Sequence, residues 1–261
     1  MRPYLSLFRA SAVNLLQYRS AAIAGVATQF CFGFMRLEVL TTFVAGKASP
    51  LTASQTADYV WLGQAFLWLL TVRPDPEIPD LVRSGRLGCE LLRPVDMYFF
   101  WLARSLARRI VPTAIRAIPL ITVCMLCGWL QPPVSWLAGL AFALSLLSAA
   151  LLGATLAQLV AQTSLWTVAA DGLGLVLPTL TWFASGLIIP IPFMPDWLRP
   201  ICEALPFSGI LDKPARIWMG AVPPGEVIGL IAQQMAWCLA LIVIGRMVCR
   251  RGLARVEVAG G

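Results

Sequence analysis

The chain has 261 residues, 59% of them apolar and 13% charged, with a mean hydropathy of +0.77; soluble domains hold about 45–50% apolar and about 25% charged residues, so a soluble domain is excluded and an integral membrane protein is expected. The net charge of +7 does not imply nucleic acid, because the cations follow the ends of the predicted spans. With no histidine in the chain, a serine–histidine hydrolase and a zinc or haem centre are also set aside.

Residues 1–20 read as an amphipathic helix lying in the membrane interface. Leu5, Phe8, Ala12 and Leu15 share one face, whereas Arg2, Ser6, Arg9 and Gln17 lie elsewhere. Arg2, Arg9 and Arg19 are spread through this stretch, unlike a signal peptide, so no cleavage is expected. A helix needs roughly 20 apolar residues to cross a bilayer, and six segments qualify: 21–45, 54–72, 106–130, 136–162, 165–190 and 226–249. Period-2 alternation is lacking, which excludes a barrel. The expected fold class is therefore all-α integral membrane, with six transmembrane helices in a single domain over 1–261.

Within these spans, Arg36, Glu38, Asp58, Arg116 and Asp171 should each face protein or water, since an ionisable group at a span centre costs at least about 2.5–3.5 kcal/mol on insertion scales. Arg36 and Glu38 are two residues apart and so should pair with different helices. Arg116 is placed to snorkel toward the cytoplasm. Asp171 is flanked by Gly172, Gly174 and Pro178; it either lines a path at a subunit interface or makes a buried hydrogen bond. Cys31, Cys124, Cys127, Cys238 and Cys249 lie in or beside apolar runs and read as small hydrophobes.

The connection at 73–98 carries five acids: Asp75, Glu77, Asp80, Glu90 and Asp96. Asp75-Pro76-Glu77 is a helix start, Ile78, Leu81 and Val82 form an apolar stripe, and Gly85 is a stop. A second short element follows and breaks at Arg93-Pro94. Arginine placement fits a cytoplasmic origin for this loop and for both termini, with fourteen Lys and Arg on that side against Lys47, Arg199, Lys213 and Arg216 on the other. Residues 190–225, rich in proline and tryptophan, read as an outer segment with short helices at the membrane edge. Trp166, Trp182, Phe183 and Trp197 are either a substrate wall or, by default, interfacial packing.

The string LVRSGRLGCELLRPVD, after a span ending YVWLGQAFLWLL and with a basic tail finishing VEVAGG, resembles the permease subunits of ATP-binding-cassette exporters of the type-2 class. Its most specific pieces are Arg83-Ser84-Gly85 and Leu92-Arg93-Pro94-Val95-Asp96. The resemblance implies that this loop is a coupling helix docking on a separate ABC ATPase subunit. Leu81, Val82 and Leu87 would be apolar anchors within a charged rim, and Arg83, Arg86 and Arg93 would contact carboxylates, with Ser84, Gly85, Leu92, Pro94 and Asp96 completing the element. It further implies a second permease copy or a related permease, as homodimer or heterodimer, in the inner (plasma) membrane, in contact with lipids. Gly46-Lys47-Ala48 is no phosphate-cradling loop, so the chain itself is expected to bind no cofactor or metal and to have no catalytic residue. ATP and Mg belong to the partner ATPase. The expected cargo is a lipid, drug or other amphiphile, and an ion- or proton-coupled secondary transporter using Glu38 and Asp171 is the alternative.

Overall fold

The computed structural model describes residues 2–16, 19–44, 50–166 and 171–255, with the backbone alone placed at 2–5, 12, 15–16, 19–23, 43–44, 171 and 173. Every regular element among them is helical. In chain order they are α1 (Arg2–Leu16), α2 (Arg19–Val44), α3 (Ala53–Ala65), α4 (Leu67–Leu70), α5 (Glu77–Arg83), α6 (Leu87–Leu91), α7 (Met97–Leu126), α8 (Trp136–Gln162), α9 (Asp171–Ala184), α10 (Arg199–Ala204), α11 (Asp212–Trp218) and α12 (Pro224–Leu253). The tail VEVAGG lies outside the described residues.

Three stretches among the described residues are long and apolar enough to cross a membrane: Met97–Leu126, Trp136–Leu165 and Pro224–Leu253. The second predicted span is instead a broken helix, in which α3 stops at Ala65 and α4 restarts at Leu67. The third begins at Met97 rather than at 106, because the Asp96 carboxylate accepts the Phe99 N–H at 3.3 Å and starts the helix there. Arg104 thereby joins Arg108 and Arg109 inside the helix. α1 packs against α7. Its Phe8 is half-buried while Ser6 and Arg9 are exposed; the side chains of Leu5, Ala12 and Leu15 lie outside the described residues.

The fifth predicted span is also short. α9 ends at Ala184 and the chain reverses at Gly186, whose φ of +87° suits only glycine; a Cβ there would fall 2.1 Å from the Tyr59 hydroxyl. The re-entrant segment beyond this reversal, residues 187–223, packs into the bundle. Gly209 approaches α8 so closely that a Cβ would meet Leu152 Cδ1 at 2.8 Å, and residues 206–215 are all buried. Backbone buried where one short helix gives way to the next must find partners for its polar groups. Gln234 of α12 supplies one, donating to the Gly209 carbonyl at 2.7 Å while Ser145 of α8 donates to its Oε1 at 2.9 Å.

Around this insertion lies the main core, where Trp61, Leu62, Leu152 and Leu211 meet. A second cluster sits at the end of the bundle carrying α5 and α6, built on Ile78, Leu87, Trp101 and Cys249. Runs of alanine and glycine on α8, such as Ala149, Gly153 and Ala157, are buried and allow close helix approach.

Candidate functional site

After α4 the chain passes through Thr71–Asp75 without regular structure before turning into the hairpin of α5 and α6. The start of α5 is shifted by one residue from expectation. Pro76 occupies the cap position, and Asp75 ahead of it accepts the Glu77 N–H at 3.1 Å. The other face of the same carboxylate pairs with Arg104 at 2.9 Å, with both side chains only 5% exposed. Arg104 also reaches Glu77 at 2.6 Å, and Arg108 stands 3.4 Å from Asp75. Arg109, buried beneath them, donates to the Ser105 hydroxyl at 2.9 Å and to the Arg73 carbonyl at 3.1 Å. Three arginines in one stretch of α7 thus fasten residues 73–77 to the bundle. Such a joint is rigid, because opening a buried pair leaves a charge without compensation.

The far side of the hairpin is held in the same way. Asp96 pairs with Arg246 of α12 at 2.8 Å, and that guanidinium stands 5.4 Å from the Phe99 ring. Glu90 pairs with Arg93 at 3.2 Å, and Arg93 lies 5.3 Å from Phe100. Four of the five loop acids therefore have partners within the chain. Asp80 is exposed.

The apolar stripe also turns inward. Ile78, Leu81 and Leu87 are buried, and Val82 packs half-buried against the same cluster. A seven-residue helix does not hold on its own, so its stripe is used to seat the hairpin; Leu81 and Val82 are not free to anchor a partner. What the hairpin presents outward is its turn, where Arg83, Ser84, Gly85 and Arg86 are exposed. Ser84 Oγ donates to the Asp80 carbonyl at 2.6 Å and accepts from Arg86 Nε at 3.1 Å. Gly85 has φ +68° and a Cβ added to it would meet nothing within 4 Å, so its conformation and not space demands glycine. Beyond α6, Leu92 is 85% exposed beside exposed Leu91, Arg93 and Pro94. Leu91 and the fastening arginines were not foreseen from the sequence, although Arg104 and Arg108 at i,i+4 spacing after an acid-rich loop were the available signal.

The polar residues of the spans are not gathered into one site. The Arg36 guanidinium donates through Nη2 to the Leu187 carbonyl beyond α9, whereas Glu38 is exposed on α2. Asp171 opens α9, and its side chain lies outside the described residues. Arg116 packs against an aromatic ring. Its guanidinium lies 4.1 Å from the Trp68 ring, in space left by Gly25, where a Cβ would fall 2.7 Å from Nε. Asp58 accepts the Gln131 N–H at 2.8 Å at the end of the bundle away from the hairpin. The aromatics are not one wall either: Trp166 and Trp197 are exposed in separate connections, while Trp182 and Phe183 are half-buried on α9.

A second polar group, unforeseen from the sequence, sits in the re-entrant segment. Tyr59 donates to Asp212 at 3.1 Å, and Arg216 bridges Glu203 at 2.8 Å and Asp212 at 3.5 Å. Lys213 is 2% exposed and its Nζ has no hydrogen-bond partner among the described residues. Burial pushes the Asp212 carboxyl up to about 6 and brings the Lys213 amine down to about 8.

Residues 61–260 match a family model described as ABC-2 family transporter protein. The match begins within α3 and takes in the hairpin, the re-entrant segment and α12. No curated protein matches the chain.

Proposed function

The chain belongs to the ABC-2 family of transporter proteins, a family of membrane permeases, and on that premise we propose that it is one permease half of an ATP-driven exporter worked by a separate ATPase subunit. Membership favours an ATP-driven machine over the ion-coupled alternative. The six crossings would be α2, the α3–α4 pair, α7, α8, α9 and α12, with both termini and the hairpin on the cytoplasmic side of the inner membrane, as the arginine distribution favours.

One observation carries the docking proposal. On a hairpin otherwise fastened inward, Arg83–Arg86 and Leu91–Pro94 remain exposed, combining cations with Leu92 at 85% exposure. A firmly seated element with a charged and apolar crest transmits force where a floppy loop would not. In this scheme nucleotide-driven closure of two ATPases pushes the crest, and the joint through Arg104 and Arg246 carries the push into α7 and α12.

A second permease copy, or a related permease, finds support on α2. Glu38 is exposed there beside Phe34, with Met35 and Val39 also exposed. A carboxylate facing lipid costs at least about 2.5 kcal/mol, so this face is better placed against protein. The cargo is a lipid, drug or other amphiphile. Cysteines placed singly at Arg83, Arg86 and Leu92 should cross-link to a co-purified ATPase with a yield that changes with nucleotide. Absence of cross-links in every nucleotide state would remove the docking role.

A further inference from the structure

A cleft of about 630 Å3 runs between residues 73–79, the end of α8 and α9, within the about 300–1,000 Å3 range of small-molecule sites. At its mouth Arg73 and Pro74 face Gly174, where a Cβ would come within 3.2 Å of the Pro74 ring. It then follows α9 past Leu175 and Pro178 to Trp182, about 12 Å along the helix axis at 1.5 Å per residue. A cation thus stands at one end and apolar surface lines the rest. The Trp182 indole N–H, buried, has no acceptor among the described residues.

The mouth has more positive charge than its own carboxylates neutralise. Arg104 and Arg108 pair with Asp75 and Glu77, and Arg109 is held by Ser105 and a carbonyl. Arg73 is exposed, and among the described residues no carboxylate pairs with its guanidinium. Arg73, Pro74 and Pro76 also line an adjoining pocket of about 260 Å3 that contains Arg108, Arg109 and Asp75, three arginines against one carboxylate. A guanidinium binds phosphate or carboxylate through paired hydrogen bonds. Directly after a predicted span, Arg73 sits where lipid headgroups lie.

We infer that this cleft binds an anionic amphiphile from the leaflet on the hairpin side, with its headgroup on Arg73 and its apolar body along Leu175, Pro178 and Trp182. That this compound class is also the cargo rests on the exporter reading above. Binding at the cleft does not.

The test uses the full chain in phosphatidylcholine nanodiscs without nucleotide or ATPase. Two photoreactive lipids with identical diazirine-bearing acyl chains are compared, one a phosphatidic acid and one a phosphatidylcholine, and adducts are mapped by mass spectrometry. Phosphatidic acid should label residues 174–182 several-fold more than phosphatidylcholine. Arg73→Glu and Arg73→Gln should abolish that excess, while Arg73→Lys should keep most of it, with thermal unfolding followed in each variant. Equal labelling by both lipids, an excess insensitive to both charge-removing variants, or adducts confined to other helices would overturn the inference. So would displacement of the lipid by glycerol phosphate at equal concentration, because that would show a site for the free anion alone. The comparison of the two lipids on the wild-type chain decides the matter even if a variant fails to fold. Loss of ATPase association in the cross-linking experiment would sink the exporter reading and leave the cleft standing.

Discussion

The hairpin joint and the re-entrant segment both bury charge, and they do so by opposite means. At the joint, Asp75 and Arg104 neutralise each other at 2.9 Å while Arg108 and Glu77 remain partly open to solvent. In the re-entrant segment Asp212 is fully buried but held by Tyr59 and Arg216, whereas Lys213 beside it buries an amine with no hydrogen-bond partner among the described residues. A paired charge fastens two elements; an unpartnered one disfavours the fold that buries it. Charge that looks like a binding surface in a sequence can therefore be mortar, and charge that looks incidental can be the more strongly perturbed.

The sharpest way to break this contrast is Arg104→Ala. It removes the buried partner of Asp75 and leaves only the half-exposed Arg108 at 3.4 Å, so it should destabilise toward the lower end of the about 3–5 kcal/mol of an opened buried pair, read as a large fall in thermal unfolding temperature in detergent together with weakened ATPase co-purification. An effect no larger than that of Arg108→Ala, whose half-exposed ion pair is worth at most about 1 kcal/mol, would show that the joint is not fastened as described.

The opposite sign is expected for Lys213→Met, which keeps the length of the side chain and removes the buried amine. It should stabilise by about 1–3 kcal/mol near neutral pH. The pH dependence checks the cause. The amine titrates near 8 in the fold and near about 10.4 when unfolded, so the folded state binds fewer protons. Wild-type stability should fall relative to the variant as pH drops from about 10.4 to about 8 and then level off. Asp212 runs the other way: with its folded value raised to about 6, it makes the wild type more stable relative to Asp212→Asn as pH falls from about 6 toward about 4. A variant gap independent of pH would remove the electrostatic account of this segment.

Smaller effects belong to the outward side of the hairpin. Gly85→Ala meets no neighbour, so its cost is conformational only, about 1–2 kcal/mol for forcing a left-handed residue. Leu92→Ser should change stability by less than about 0.5 kcal/mol, since Leu92 is exposed, and yet reduce ATPase co-purification. If it unfolds the protein instead, the crest is part of the core and not a contact surface.

Much of this architecture is written in local patterns. Sustained apolar runs exclude a soluble domain, and the helix-start signal at Asp75-Pro76-Glu77 and the stop at Gly85 mark α5 to within a residue, because capping and backbone conformation are decided by near neighbours. The arginine asymmetry likewise needs only a count. Tertiary structure alone decided the rest. Nothing local tells that Leu81 faces the bundle while Leu92 faces away, that Arg104 neutralises Asp75 from another helix, or that residues 206–215 are buried against α8. A side chain's partner is chosen by elements distant in sequence, and the same aspartate is a docking charge, a helix cap or half of a buried pair according to what the fold brings within about 3 Å of it.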